Sequence, residues 1–208
     1  MRADPQGAAR LMPNRRTILL VLLAAAVAVA GVATRLFYDR LQAGEIGTAD
    51  LGAPFALTDH EGRPITEAAF EGHPSMLFFG FTHCPEICPT TVYDMEGWFG
   101  ELGAEADALA AFFVTVDPER DTPEVLRDYL TFQTDRVVGI SGDPDAVRDL
   151  ARSWRVYFSR RDLEGGDYTM DHTSLVYLLD EDGRYAGTIP YGAEPEAAVA
   201  QLRALIEG

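Results

Sequence analysis

Residues 75–81, SMLFFGF, form an unbroken apolar run, and AFFVTV (111–116) and RVVGI (136–140) repeat the pattern. Continuous apolar runs of this kind suit strands buried on both faces of a parallel sheet. Between them, apolar residues recur at helical spacing: Val92, Met95, Phe99 and Leu102, then Val125, Leu126, Tyr129 and Leu130, then Val147, Leu150, Ala151 and Trp154. Thr122-Pro123 and Asp143-Pro144 read as an N-cap followed by proline at the first helical position. Strand–helix alternation implies crossover connections and a central sheet covered by helices.

The flanks complete the plan. FALTDHEGRPIT (55–66) predicts an early hairpin. TSLVYLL (173–179) and RYAGTI (184–189) predict a late one across residues 180–183, followed by a helix from about Pro195 that packs through Val199, Leu202 and Ile206. The expected fold is α/β: a thioredoxin-like fold with an N-terminal β-hairpin extension, preceded by a single transmembrane helix.

That helix is read from Thr17 to Thr34, an uncharged run of 18 residues. At roughly 1.5 Å each they reach about 27 Å, enough for a hydrocarbon core. Arg2, Arg10, Arg15 and Arg16 precede the run against Asp4 alone, so the N-terminus is expected to stay cytoplasmic. The organisation read is a cytoplasmic tail (1–16), a transmembrane anchor (17–34), a linker with Gly44 and Gly47 (35–50) and an exported domain (51–208). The expected location is the inner (cytoplasmic) membrane, single-pass, with the C-terminal domain in the periplasm. A cleavable signal peptide with Ala28-Val29-Ala30 at its cleavage site is the alternative. Either way the domain enters an oxidising compartment.

Of 208 residues, 47% are hydrophobic and 24% charged, as in globular proteins. All 17 basic residues are arginine. Removing the four Arg and one Asp of residues 1–34 from 17 basic and 33 acidic residues leaves 13 against 32, a net −19. Such an acidic domain excludes nucleic acid as a partner.

Both cysteines lie in THCPEICP (82–89). Each precedes a proline, so Cys84 and Cys88 are expected to be extended, with Pro89 at the first helical position. A helix N-terminus favours thiolate over thiol, and a thiolate serves both disulfide exchange and metal ligation. A static disulfide closing so small a loop would stabilise little. The spacing is C-x-x-x-C, one residue longer than the C-x-x-C of redox thioredoxins. Two thiolates fall short of the four ligands of structural zinc, whereas Cu(I) accepts two or three sulfur or nitrogen donors.

An imidazole would complete such a site, and the chain has four histidines. His60, in the first hairpin turn, is expected to be solvated. His73 precedes the first buried strand, at the far end of the sheet. His83 adjoins Cys84 and is a lesser alternative. His172 falls just before the strand 173–179, whose leading loop lies beside the cysteine loop in a thioredoxin-type sheet. Oxidoreductases of that fold usually carry a cis-proline there; this chain has Asp171-His172-Thr173. Asp171 is a candidate acceptor to orient a ring. VDPERDTP (116–123) ends a buried strand at the same edge. It reads equally as a capping loop with an internal Arg120–carboxylate pair, or as placing Asp117 or Asp121 near a metal or partner.

FFGFTHCPEICP (78–89), FVTVDPERDTPEVLRDYL (113–130) and GDYTMDHTSLVYLLDEDGRY (166–185) together resemble the Sco/SenC family of membrane-anchored copper proteins. The resemblance covers about residues 50–207. It implies a copper ion held by Cys84, Cys88 and His172. It also implies, as partners, cytochrome c oxidase subunit II, whose CuA centre would receive copper or have its cysteines reduced, and other copper chaperones. Some members are implicated in thiol–disulfide chemistry or redox signalling. A thiol reductase, with Cys84 attacking and Cys88 resolving, and a copper or redox sensor therefore stay open. His73 stands where a lysine is common.

Overall fold

Three strands supply the frame on which the motifs meet. The computed structural model describes residues 51–208 and Gly31; the expected tail, anchor and linker lie outside the described residues, Gly31 apart. Among the described residues no helix is long and apolar enough to cross a membrane. The early hairpin pairs β1 (Ala56–Asp59) with β2 (Pro64–Thr66). Then follow β3 (Ser75–Gly80), α1 (Ile87–Leu102), β4 (Ala110–Thr115), α2 (Pro123–Thr131), β5 (Val137–Ser141) and α3 (Pro144–Ser153). The chain closes with β6 (Phe158–Asp162), β7 (Tyr168–His172), β8 (Leu175–Leu179), β9 (Tyr185–Pro190) and α4 (Pro195–Glu207).

Seven strands form one mixed sheet in the order β2-β1-β5-β4-β3-β8-β9. The β3, β4 and β5 strands run parallel, and β8 joins β3 antiparallel with Phe78 opposite Val176. Every residue of β3 is buried, which is why its sequence does not alternate. The β4-β3-β8-β9 order, with β8 reversed, is the thioredoxin-like core, and the first hairpin extends it beyond β5.

This topology brings the motifs to one edge. The residues after β3, those after β4, and those before the antiparallel β8 all emerge at the same end of the sheet. These are the cysteine loop, VDPERDTP and DHT.

Four expectations need correction. First, His172 does not sit in a plain loop; it ends β7, which pairs with β6 as a separate two-stranded sheet, Phe158 opposite His172. FSRRD and YTMDH carry too many charges to read as strands. The signal was the Gly165-Gly166 turn between them, whose φ values of 95° and 88° favour glycine. Second, α1 starts at Ile87, so Cys88 and Pro89 both lie in its first turn and Cys88 is not extended. Proline is tolerated there because first-turn amides have no partner within the helix. Third, His60 is not simply solvated: its Nδ1 accepts the Gly139 N–H at 2.8 Å, tying the hairpin turn to β5. Fourth, Leu126 and Leu130 form the buried stripe of α2, while Val125 is exposed. The helix starts themselves are as read, Thr122 accepting from Val125 N–H and Asp143 from the amides of residues 145 and 146.

Candidate metal centre

Cys84 leaves β3 through a short turn, its N–H bonded to Phe81 O at 3.3 Å. Cys88, one helical turn on, is wholly buried, while Cys84 is half-buried. Both are free thiols. The Cys88 N–H donates to Cys84 Sγ at 3.4 Å, so the sulfur takes up an amide that α1 leaves without a helical partner. Gly80 makes room for this packing. A Cβ there would lie 3.0 Å from Cys88 Sγ and 2.8 Å from the Phe78 ring. A glycine inside an apolar strand signals such a close approach.

His172 arrives from the other side. Its ring stands edge-on to Phe81, with centroids 5.6 Å apart, and to Phe78 at 6.2 Å. Nδ1 lies 2.9 Å from Thr173 O. A carbonyl can only accept, so Nδ1 carries the proton and Nε2 turns its lone pair inward. Nε2 lies 3.3 Å from Cys88 Sγ. The group that orients the ring is thus the Thr173 carbonyl and not Asp171, which is exposed and faces Arg161 at 3.4 Å. No residue pattern could have signalled a backbone carbonyl in this role.

The two sulfurs differ electrostatically. Hydrogen bonding from Cys88 draws the Cys84 thiol down from 9.0 to about 4 against the opposing effect of burial. Burial, reinforced by the Cys84 charge, pushes the Cys88 thiol up. The pair is therefore polarised toward a thiolate at Cys84, on the accessible side, and a thiol at Cys88 beneath it.

The donor atoms of Cys84, Cys88 and His172 all lie within 4.8 Å of one another, and no other such cluster occurs among the described residues. With metal–sulfur and metal–nitrogen bonds of about 2.3 and 2.0 Å, trigonal donors stand about 3.7–4.0 Å apart. The three side chains fit a small ion with little movement, and two sulfurs with one imidazole are a donor set suited to copper. A groove of about 330 Å³ lined by Phe81, Cys84, Ile87, Met170 and His172 gives access.

The other candidates lie elsewhere. His73 is exposed beside Glu71 O. His83 is also exposed, and its ring contacts the Thr82 hydroxyl. Asp117 and Asp121 are buried and engaged with neighbouring side chains, not with the three donors.

The comparisons agree with this geometry. A family model described as SCO1/SenC matches residues 43–207. The mitochondrial protein SCO2 of Saccharomyces cerevisiae is 35% identical over 164 residues, 77% of this chain and 54% of that one. The mitochondrial SCO1 homolog of Homo sapiens is 38% identical over 143 residues, covering 67% of this chain and 48% of its own length. The chain thus spans about half the length of these curated relatives. The copper-bound structure of Bradyrhizobium japonicum ScoI superposes with a TM-score of 0.70 at 41% identity, over 74% of this chain and 99% of that one. Fold, motif positions and relatives converge: this chain belongs to the SCO1/SenC family.

Proposed function

We propose that the chain is a copper metallochaperone that helps assemble the CuA site of cytochrome c oxidase. The observation that carries this reading is the meeting of two sulfurs and one imidazole nitrogen within 4.8 Å beside an open groove. Cys84, Cys88 and His172 are the copper ligands. Three donors leave the ion coordinatively unsaturated, so an acceptor can add a thiolate of its own and take the ion by ligand exchange. Cys84, on the groove side, is the donor that lets go first; Cys88 and His172 form the deeper pair. Subunit II is the acceptor and other copper chaperones are the source. Residues 17–34 anchor the chain in the inner membrane, with 51–208 in the periplasm.

A second reading is favoured by one observation, the depressed Cys84 thiol. Its thiolate would attack a target disulfide, releasing one target thiolate and forming a mixed disulfide. Cys88, deprotonated by His172, would then displace the second target thiolate and leave Cys84–Cys88 oxidised.

Titration of Cu(I) into the reduced full chain in mild detergent separates the two. The copper reading expects one equivalent bound, and His172→Ala to weaken binding at least about 10-fold, the lower end of what even indirect partners of metal sites contribute. If His172→Ala binds as tightly as the parent yet still reduces disulfides efficiently, the reductase reading replaces it.

A further inference from the structure

The loop that holds VDPERDTP touches both halves of the copper site without supplying a ligand. Asp121 has no solvent exposure, a costly place for a carboxylate unless its oxygens are satisfied. One oxygen accepts the Thr82 N–H at 3.0 Å and the Thr115 hydroxyl at 2.6 Å; the other accepts the Thr82 hydroxyl at 2.6 Å. Thr82 begins the turn that carries Cys84. Its neighbour Arg120 reaches the opposite way. Arg120 Nε binds Asp117 at 2.5 Å, and its Nη1 donates to the Tyr168 carbonyl at 2.9 Å. The guanidinium lies over the Tyr168 ring at 3.6 Å, and the Tyr168 hydroxyl donates to Asp117 at 2.8 Å. Tyr168 starts the strand that His172 ends, and the β6–β7 ladder pairs both ends of it, Tyr168 with Asp162 and His172 with Phe158.

We infer that residues 117–121 are a two-sided clamp that sets the separation of the copper donors, Asp121 seating the cysteine loop and Arg120, braced on Asp117, seating the His172 hairpin. Both are positioning residues, since neither touches a donor atom. The loop thereby acquires a role in metal affinity beyond capping α2. Its two arms are separable, because one acts through the sulfurs and the other through the imidazole. This inference rests on the copper reading above.

The test is a set of double-mutant cycles on Cu(I) affinity in the full chain, with His172→Ala as the second substitution. Arg120→Ala is expected to weaken binding about 10-fold when His172 is present. When His172 is already gone it is expected to weaken binding less than about twofold, because its effect runs through that ligand. Thr82→Val, which removes one anchor of the cysteine loop and spares the buried Asp121, is expected to weaken binding by the same factor in both backgrounds. General destabilisation would not discriminate between backgrounds. Equal effects of Arg120→Ala with and without His172 overturn the clamp.

A copper-free readout separates this result from failure of the copper reading. In NMR spectra of the reduced chain, Arg120→Ala is expected to weaken the contacts of the His172 ring with Phe78, Phe81 and the Cys88 side chain. If those ring contacts persist unchanged, the clamp is wrong whether or not copper binds.

Discussion

The two halves of the site are built in opposite ways. The cysteine half hangs on β3, whose residues are all buried, and runs into α1 with Cys88 sealed beneath. The histidine half rides on a two-stranded ribbon with exposed residues along both strands, outside the seven-stranded sheet. One half is held by the core; the other is held by a few polar contacts and two aromatic rings. The proposed carrier role requires a site that binds its ion and also gives it up, and this asymmetry is suited to both. Cys88 is fixed by the core, while the placement of the imidazole depends on polar contacts.

The largest effect expected from this contrast follows removal of a sulfur. Cys84→Ser or Cys88→Ser should lower Cu(I) affinity by more than about 100-fold, beyond the range that loss of an indirect partner produces, as competition with a chromophoric chelator would read. A loss no greater than that of His172→Ala would erase the distinction between the halves.

Next is Gly80→Ala, which strains the buried half first. The added methyl would press on Phe78, Phe113 and Cys88 Sγ at 2.8–3.0 Å. Overpacking of this kind costs about 1–3 kcal/mol. For a chain of this size that lowers the melting temperature by about 2–12 °C. An unchanged melting temperature would mean that the cysteine half is looser than its burial implies.

The third contrast is in the pH dependence of the reduced, copper-free chain. Cys84 is held near 4 when folded against 9.0 ordinarily, so between these values the unfolded state binds the extra proton. Stability therefore rises with pH across that window and is lost as pH falls toward 4. The Cys88 thiol, pushed up, contributes in the opposite sense and only as pH rises above 9.0. Iodoacetamide at pH 6 should modify Cys84 and spare Cys88, with mass spectrometry locating the label. Equal labelling of both would remove the electrostatic difference between them.

How much of this was legible in the sequence follows the same divide. SMLFFGF and AFFVTV announce buried strands because a two-faced environment permits nothing polar, and Thr122-Pro123 and Asp143-Pro144 announce helix starts through local capping chemistry. Once the sheet order is known, the meeting of Cys84, Cys88 and His172 follows from β8 running antiparallel to β3. The ribbon β6–β7 was missed because its strands are secured by Arg120, Asp117 and neighbouring aromatics rather than by an apolar face. The start of α1 at Ile87 was missed because burial of Cys88 overrides the extended preference of a residue before proline. The part played by Thr173 was invisible, since every residue has a carbonyl.

X-ray absorption at the copper edge tests the central claim most directly. The Cu(I)-loaded full chain is expected to show two sulfur neighbours and one nitrogen neighbour, with the nitrogen lost in His172→Ala and both sulfurs kept. A His172→Ala spectrum identical to that of the parent would contradict the three-donor site.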